Sequence, residues 1–470
     1  MRFCRAAGQR GEHDANRVAG TIGPTERARR TGMAECLRGT SGAARLVFDP
    51  LVVHQRVDRT GADGIHGDAE HPINCRNPTV GQWWGFPSRS RRAARVRHGH
   101  RALVAKSIWP EDNCGHNQPA DIRVTRMVRV GIVGIGFMGM IHYLAYKNVP
   151  GAKVAAICTR DKKKLAGDWR EIKGNFGPPG TIMDLGKIAR YADWREVLDN
   201  PKIDLIDVCL PPKLHAEVTV AALQAGKHVI CEKPIALNTA DARRMVKAAQ
   251  QSNKLLLIAH VLPFVPEFAF VRRAAASGKY GRLLGGHFKR IIANPLWLKD
   301  FYDPHSVGGP VVDLHIHDAH FIRLLWGMPR AVQSTGRGHG DVVEFINTQF
   351  LFDAETLVTA TSGVIQQQGR SFTHGFEVYF EKATMTYDSS VLDGQAVTGM
   401  PLTVLTARGK VERPALSETD AFAAELADAV KAVRSGRPSE LLAGELALDA
   451  LTLCQKETES VQKGRAVKIT

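Results

Sequence analysis

The sequence predicts an α/β protein in two parts: a doubly wound parallel sheet, then an α/β domain with a large, mainly antiparallel open sheet. Three observations predict it. A strand, a glycine turn, a helix and a second strand follow in order from Val128 to Cys158. Strands and helical stretches then alternate as far as residue 260. Beyond that point two-fold alternations succeed one another with few helices between them. The first pattern builds a parallel sheet covered on both faces, the second an antiparallel one.

Val128 to Val133 alternates and then runs apolar, as a buried parallel strand does. It feeds Gly134-Ile135-Gly136-Phe137-Met138-Gly139, and an apolar helix follows through Tyr146. In this context the glycines form a Rossmann fingerprint: Gly134 permits the tight turn, Gly136 admits a pyrophosphate, and Gly139 lets the helix pack on the sheet. The helix start offers its free N–H groups to phosphates. A second strand, Lys153 to Cys158, ends at Thr159-Arg160-Asp161. An acidic residue about twenty positions past the glycines usually reads the ribose of NAD. Here Thr159 holds that place, with Arg160 beside it. Arg160 can pair with a 2′-phosphate, stack on adenine or remain solvated, and Asp161 can cap the next helix or turn to the ribose. The cofactor is read as NAD or NADP, with a lean to NADP.

The units continue with a helix at Asp193–Leu198, a strand at Ile203–Leu210, a helix at Lys213–Ala225 and a strand at His228–Cys231. Asp241–Gln251 reads as a helix and Lys254–Ala259 as a strand. The ligand belongs at the carboxyl ends of these strands, where Gly134, Pro211, Glu232 and His260 fall, with His215 one turn into its helix. After residue 260 come a helix at Phe264–Ser277, strands at Gly281–Ile292 and Arg330–Ser334, and a helix at Asp313–Trp326. Alternations follow at 343–352, 355–364, 374–381 and 384–388, then helices at Asp420–Arg434 and Ala443–Gln462. A broad apolar sheet face suits burial against a second subunit.

Composition sets limits. The chain has 470 residues, 44% hydrophobic and 23% charged, which excludes a wholly disordered or fibrous protein. No apolar run reaches the roughly 18–20 residues of a membrane span. Eight scattered cysteines form no CxxC pair and argue a reducing, cytoplasmic setting. The net charge is +16, and the first 126 residues hold 21 Lys and Arg against 12 Asp and Glu. That segment contains the basic run from Ser88 but no finger, helix-turn-helix or basic-aromatic pattern, so no nucleic-acid partner is expected. It also lacks the apolar stretch of a signal peptide. Residues 1–126 are read as a disordered extension or a start placed too far upstream, 127–260 as the Rossmann domain, and 261–470 as the substrate-binding and oligomerisation domain. The last helices are expected to pack back on the first domain.

Two clusters carry the chemistry. Lys233 stands at a strand end between Glu232 and Pro234, where its ammonium can stabilise a developing alkoxide. The second cluster runs from Gly308 through Asp313, His315, His317, Asp318 and His320. On a helix Asp313 and His317 share one face, so the carboxylate can orient the imidazole for acid–base work near neutral pH. His315 and His317 diverge around the helix and no HExxH is present, so no metal is expected.

From Met127 onward the chain resembles the Gfo/Idh/MocA family. The glycine turn, the run Ala225-Gly226-Lys227-His228-Val229-Ile230-Cys231-Glu232-Lys233-Pro234 and the Asp313/His317 spacing carry the resemblance. It implies NAD(P)-dependent hydride transfer at a secondary alcohol of a sugar, inositol or related polyol, in a homodimer or homotetramer. It makes Lys233 the catalytic lysine, Asp313 the aspartate that helps position substrate and base, and His317 the proton-transfer group. Together with the fingerprint, it gives the cofactor Gly134, Gly136, Phe137, Met138, Gly139, Thr159, Arg160, Pro211, His215, Glu232 and Lys233. Substrate falls to His260, Arg290, Trp297, Asp313, His317 and His320, with Lys289 and Asp300 nearby. His315 and His320 replace a glycine and an aspartate common in the family, and His260 opens a segment where many members carry an arginine. Those departures point to an unusual substrate. Two alternatives stay open: an NAD-dependent glycosidase or lyase acting through transient oxidation, and a non-catalytic cofactor- or sugar-binding regulator.

Overall fold

A computed structural model of the protein describes residues 127–469 apart from 175 and 354. The readings of residues 1–126 lie outside the described residues.

The first sheet is built from β1 (Val128–Val133), β2 (Ala152–Cys158), β3 (Ala189–Tyr191), β4 (Leu205–Val208), β5 (His228–Glu232) and β6 (Leu256–Ala259). All its pairings are parallel, and the order is β3-β2-β1-β4-β5-β6. The connections include α1 (Phe137–Tyr146), α2 (Lys162–Leu165), α3 (Trp194–Asp199), α4 (His215–Gln224) and α5 (Thr239–Ser252). This is the doubly wound order whose direction reverses between β1 and β4, and a ligand fits the crevice at that reversal. Val130, Ile132, Leu205, Ile206, Ile230 and Ile258 are fully buried, which explains the unbroken apolar runs.

After α6 (Pro266–Ser277) the second sheet begins with β7 (Leu283–Ala293). A turn and α7 (Ile316–Trp326) precede β8 (Ala331–His339), β9 (Val342–Leu351), β10 (Leu357–Ile365), β11 (Arg370–Phe380), β12 (Ala383–Leu392), β13 (Gln395–Thr406) and β14 (Val411–Glu412). α8 (Ala421–Ser435), α9 (Gly444–Lys463) and β15 (Val467–Lys468) complete the chain. The nine strands run β14-β13-β12-β11-β7-β10-β9-β8-β15, with only the β7–β10 pair parallel. α7 and α9 cover one face through Phe321, Ile322, Ala447 and Leu451. α8 lies against α1 and β1, where Leu426, Ala429 and Val430 join Val130 and Met140 in one apolar cluster. Ile258 N–H donates to the Leu442 carbonyl, so the segment between α8 and α9 reaches the β6 edge.

The structure corrects several expected boundaries. The strand expected at Ile203–Leu210 shrinks to β4, because Pro211 and Pro212 open a separate 3-10 turn at Pro212–Leu214. The helix expected from Lys213 therefore starts at His215. The helix expected from Asp313 opens as a π-turn, Val311–His315, and becomes α-helical only at Ile316. β3, β13, β14 and β15 go beyond the expected strands.

Candidate active site

At the end of β1 the backbone takes a positive φ of 104° at Gly134, and a side chain there would press on the Cys209 carbonyl at 2.5 Å. A Cβ on Gly139 would collide with the Gly134 carbonyl, so the start of α1 packs closely under the turn. Gly136 faces open space and caps α1 without any side-chain bond. Bare backbone with room before it, at a ten-residue helix start, fits a dinucleotide pyrophosphate. Phe137 packs edge-on against Phe176 at 4.7 Å, which in turn stacks on Phe422. Asp161 is settled by local geometry: its carboxylate accepts the Lys163 and Lys164 N–H groups and caps α2. Thr159 is half-buried, while Arg160 is exposed and among the described residues makes no ion pair.

The β5 end delivers Lys233, which precedes a cis Lys233–Pro234 peptide. Its Nζ donates to the Asp313 carbonyl at 2.7 Å and to Asp313 Oδ1 at 2.9 Å, joining positions 80 residues apart. Two groups fasten the turn itself. Glu232 Oε2 accepts the Lys233 N–H at 3.1 Å. His215 lies fully buried with Nδ1 2.8 Å from the Pro234 carbonyl and Nε2 2.8 Å from that of Leu210. The ring is thus wedged between two turns, donating to one of these carbonyls, because burial lowers its pKa and a neutral ring carries a single N–H. Pro211 is exposed beside it.

The expected bond between Asp313 and His317 is absent, because the π-turn changes the spacing that an α-helix would give. Asp313 turns to Lys233 instead. His317 Nδ1 is buried without a partner among the described residues, which leaves Nε2 as the ring atom open to solvent. Burial, and then the nearby Lys233 and Arg290 cations, push the His317 pKa well below the ordinary value. Near neutral pH the ring is therefore uncharged and able to accept a proton. His260 stacks on His320 at 3.9 Å and meets His317 edge-on at 6.2 Å. Burial lowers both, His320 to about 3.

Other residues expected in the substrate pocket are held in ion pairs or exposed on a loop. Arg290 is buried, with Nε and Nη2 2.9 and 3.0 Å from the two Asp318 oxygens. Ser362 donates to that carboxylate and accepts from His315 Nδ1 at 2.8 Å, while His315 Nε2 lies 3.0 Å from Glu457 on α9. Arg290 and His315 are therefore tied into one buried network with Asp318, Ser362 and Glu457. Lys289 pairs with Asp388 across the sheet. Trp297 is 54% exposed and Asp300 is exposed in the loop after β7.

The sequence reading missed His142 on α1 and Asp207 on β4. His142 Nδ1 lies 2.9 Å from Asp207 Oδ2, and Cys209 Sγ–H donates to Asp207 Oδ1. A charged residue inside an all-apolar strand needs a partner, and that was the available signal.

A family profile described as "Oxidoreductase family, NAD-binding Rossmann fold" matches residues 128–260, and one described as "GFO/IDH/MocA C-terminal domain" matches residues 268–386. Levoglucosan dehydrogenase of Pseudarthrobacter phenanthrenivorans is 32% identical over 212 residues, 44% of this chain and 53% of that protein. The match thus spans about half of that relative's length. Myo-inositol 2-dehydrogenase of Thermotoga maritima is 26% identical over 73% of this chain and 98% of its own. The structure of a levoglucosan dehydrogenase in complex with NADH and levoglucosan superposes with a TM-score of 0.60 at 21% identity, covering 73% of this chain and all of that one. Glycine turn, lysine turn and both matched domains together place this chain in the Gfo/Idh/MocA family of NAD-binding oxidoreductases.

Proposed function

We propose that the protein moves hydride between a nicotinamide dinucleotide and a secondary alcohol or ketone of a sugar, inositol or related polyol. The observation that carries this reading is the Lys233 ammonium, fixed on Asp313 at the carboxyl end of β5, in the same domain as the open glycine turn. The dinucleotide would lie along Gly134–Gly139 and supply or take up the hydride. This chain's residues handle the oxygen and its proton. In the oxidative direction His317 Nε2, held neutral, accepts the hydroxyl proton, and Lys233 Nζ stabilises the charge that develops on oxygen. Asp313 holds Lys233 in place. The relatives named for levoglucosan and inositol support a cyclic polyol substrate, and Thr159 with Arg160 in place of an acidic ribose reader supports NADP. The outer face of the second sheet supports self-association. Leu405, Tyr379 and Leu357 are exposed on one cross-strand row with Thr384 and Gly285, and light scattering tests for a dimer or tetramer.

The test is a panel of cyclic polyols and sugars with NAD+ and NADP+, following reduced cofactor. Net accumulation with at least one substrate supports a dehydrogenase, whereas product formation without net reduction moves the protein to transient-oxidation chemistry. Lys233→Met is expected to lower kcat by about 100-fold or more while NADH affinity stays close to normal. Near-normal turnover in that variant removes Lys233 from the mechanism.

A further inference from the structure

Beneath the glycine turn a group of ionisable side chains is sealed from solvent. His142 on α1 has no exposed surface, and its Nδ1 stands 2.9 and 3.1 Å from the two oxygens of Asp207, which is equally buried. On the other side of the ring Nε2 is 3.0 Å from Glu232 Oε1, an ion-pair contact poorly angled for a hydrogen bond. The other Glu232 oxygen accepts the Lys233 N–H. Asp207, His142, Glu232 and Lys233 are therefore linked in that order, from the middle of the sheet to the candidate catalytic turn. Nothing in the proposed chemistry uses the first two.

We propose that His142, bridging Asp207 and Glu232, is a positioning residue that fixes the Glu232 carboxylate and through it the Lys233 turn. The inference rests on Lys233 being the group that faces the reacting oxygen. An imidazole with a carboxylate at each nitrogen binds both only when both nitrogens carry protons. The surroundings favour that state. Burial alone would lower the His142 pKa, but the Asp207 carboxylate outweighs it and holds the pKa well above the ordinary value. The other groups facing the ring are neutral: burial pushes up the Cys209 thiol on β4, the Tyr146 phenol on α1 and the Glu425 carboxyl on α8. Because α1 also begins at the glycine turn, one side chain couples the nucleotide-binding helix to the lysine.

The experiment compares Glu232→Gln, His142→Gln and the double variant in the full chain. Glu232→Gln keeps size and an acceptor for the Lys233 N–H, so it remains informative should His142→Gln fail to fold. Three readouts are taken: kcat with NADH affinity, the His142 imidazole nitrogen shifts at about pH 8, and the rate of Lys233 reductive methylation by peptide mapping. Each single variant is expected to lose about 10- to 100-fold in kcat. NADH affinity should hold within about threefold in His142→Gln, and the double variant should be no worse in kcat than the more severe single. In the wild type both His142 nitrogens are expected to be protonated, and Lys233 is expected to methylate several-fold faster once the bridge is broken. Unchanged kcat and methylation in Glu232→Gln overturn the proposal, and so does independent, multiplicative loss in the double variant. If the wild type turns over no polyol, the functional reading fails on that count alone. The nitrogen shifts and Lys233 methylation then still decide whether His142 positions the turn.

Discussion

His142 and His315 are as deeply buried as His260 and His320, yet the two pairs are held in opposite charge states. For the first pair burial is outweighed by carboxylates, Asp207 for His142 and Glu457 for His315, and the pKa is raised. No carboxylate offsets burial in the second pair, and the nearby cations, Lys233 for His260 and Arg323 for His320, lower it further. Burial is common to all four, so the partner decides the charge. The raised pair ties elements together, α1 to β4 and α7's leading turn to α9. The lowered pair lies with His317 beside Lys233, where a neutral ring can take a proton.

That contrast is broken most severely at His317. His317→Ala is expected to cost about 10²- to 10⁴-fold in kcat/KM. Because His317 is held neutral, the wild-type acid limb should fall clearly below pH 6.5, and it should vanish in the variant. An unchanged profile would assign proton transfer to another group.

The next effect is on stability. His315→Leu strands Glu457 in a buried site and is expected to cost about 3–5 kcal/mol in urea melts. A loss below about 1 kcal/mol would show that Glu457 finds another partner or takes up a proton freely.

A smaller effect sharpens the comparison by pH. A histidine kept neutral in the fold binds fewer protons than in the unfolded chain. Its stabilising contribution is complete above about pH 6.5 and erodes as pH falls toward about 3 for His320. His142 and His315 act in the reverse sense: their contribution is complete below about pH 6.5 and is lost as pH rises through their elevated values. His320→Phe should therefore flatten the stability curve between about pH 6 and 4. A slope equal to wild type would mean that His320 is already protonated there.

The smallest effect concerns an exposed cation. Arg160→Ala is expected to weaken NADPH binding by about tenfold and NADH hardly at all. Equal losses would assign Arg160 to adenine stacking or general charge.

Local pattern revealed the first sheet and the glycine turn because each depends on neighbours in the chain. β13 escaped because its first seven residues are all exposed, and β15 because two residues carry no period. At the site, Lys233 and Asp313 were both legible as strand-end and helix-start polar groups. Their direct contact was not, since the π-turn that creates it has no residue signature in Val311–His315. The ion pairs that hold Arg290 and His315 were not legible, because their countercharges, Asp318 and Glu457, lie 28 and 142 residues away. Nothing local announces such a pairing.

The π-turn also makes the site sensitive to chain length in a way that side-chain chemistry does not express. A wider turn accommodates one residue more than an α-helical turn. Deleting Leu314 would restore ordinary winding and swing Asp313 by about 100° relative to α7. Substitutions along this stretch change one contact each, but an insertion or deletion changes the phase of everything before it. The pairing of Asp313 with Lys233 is thus written as a count of residues, which an insertion or deletion disturbs more than a change of letter.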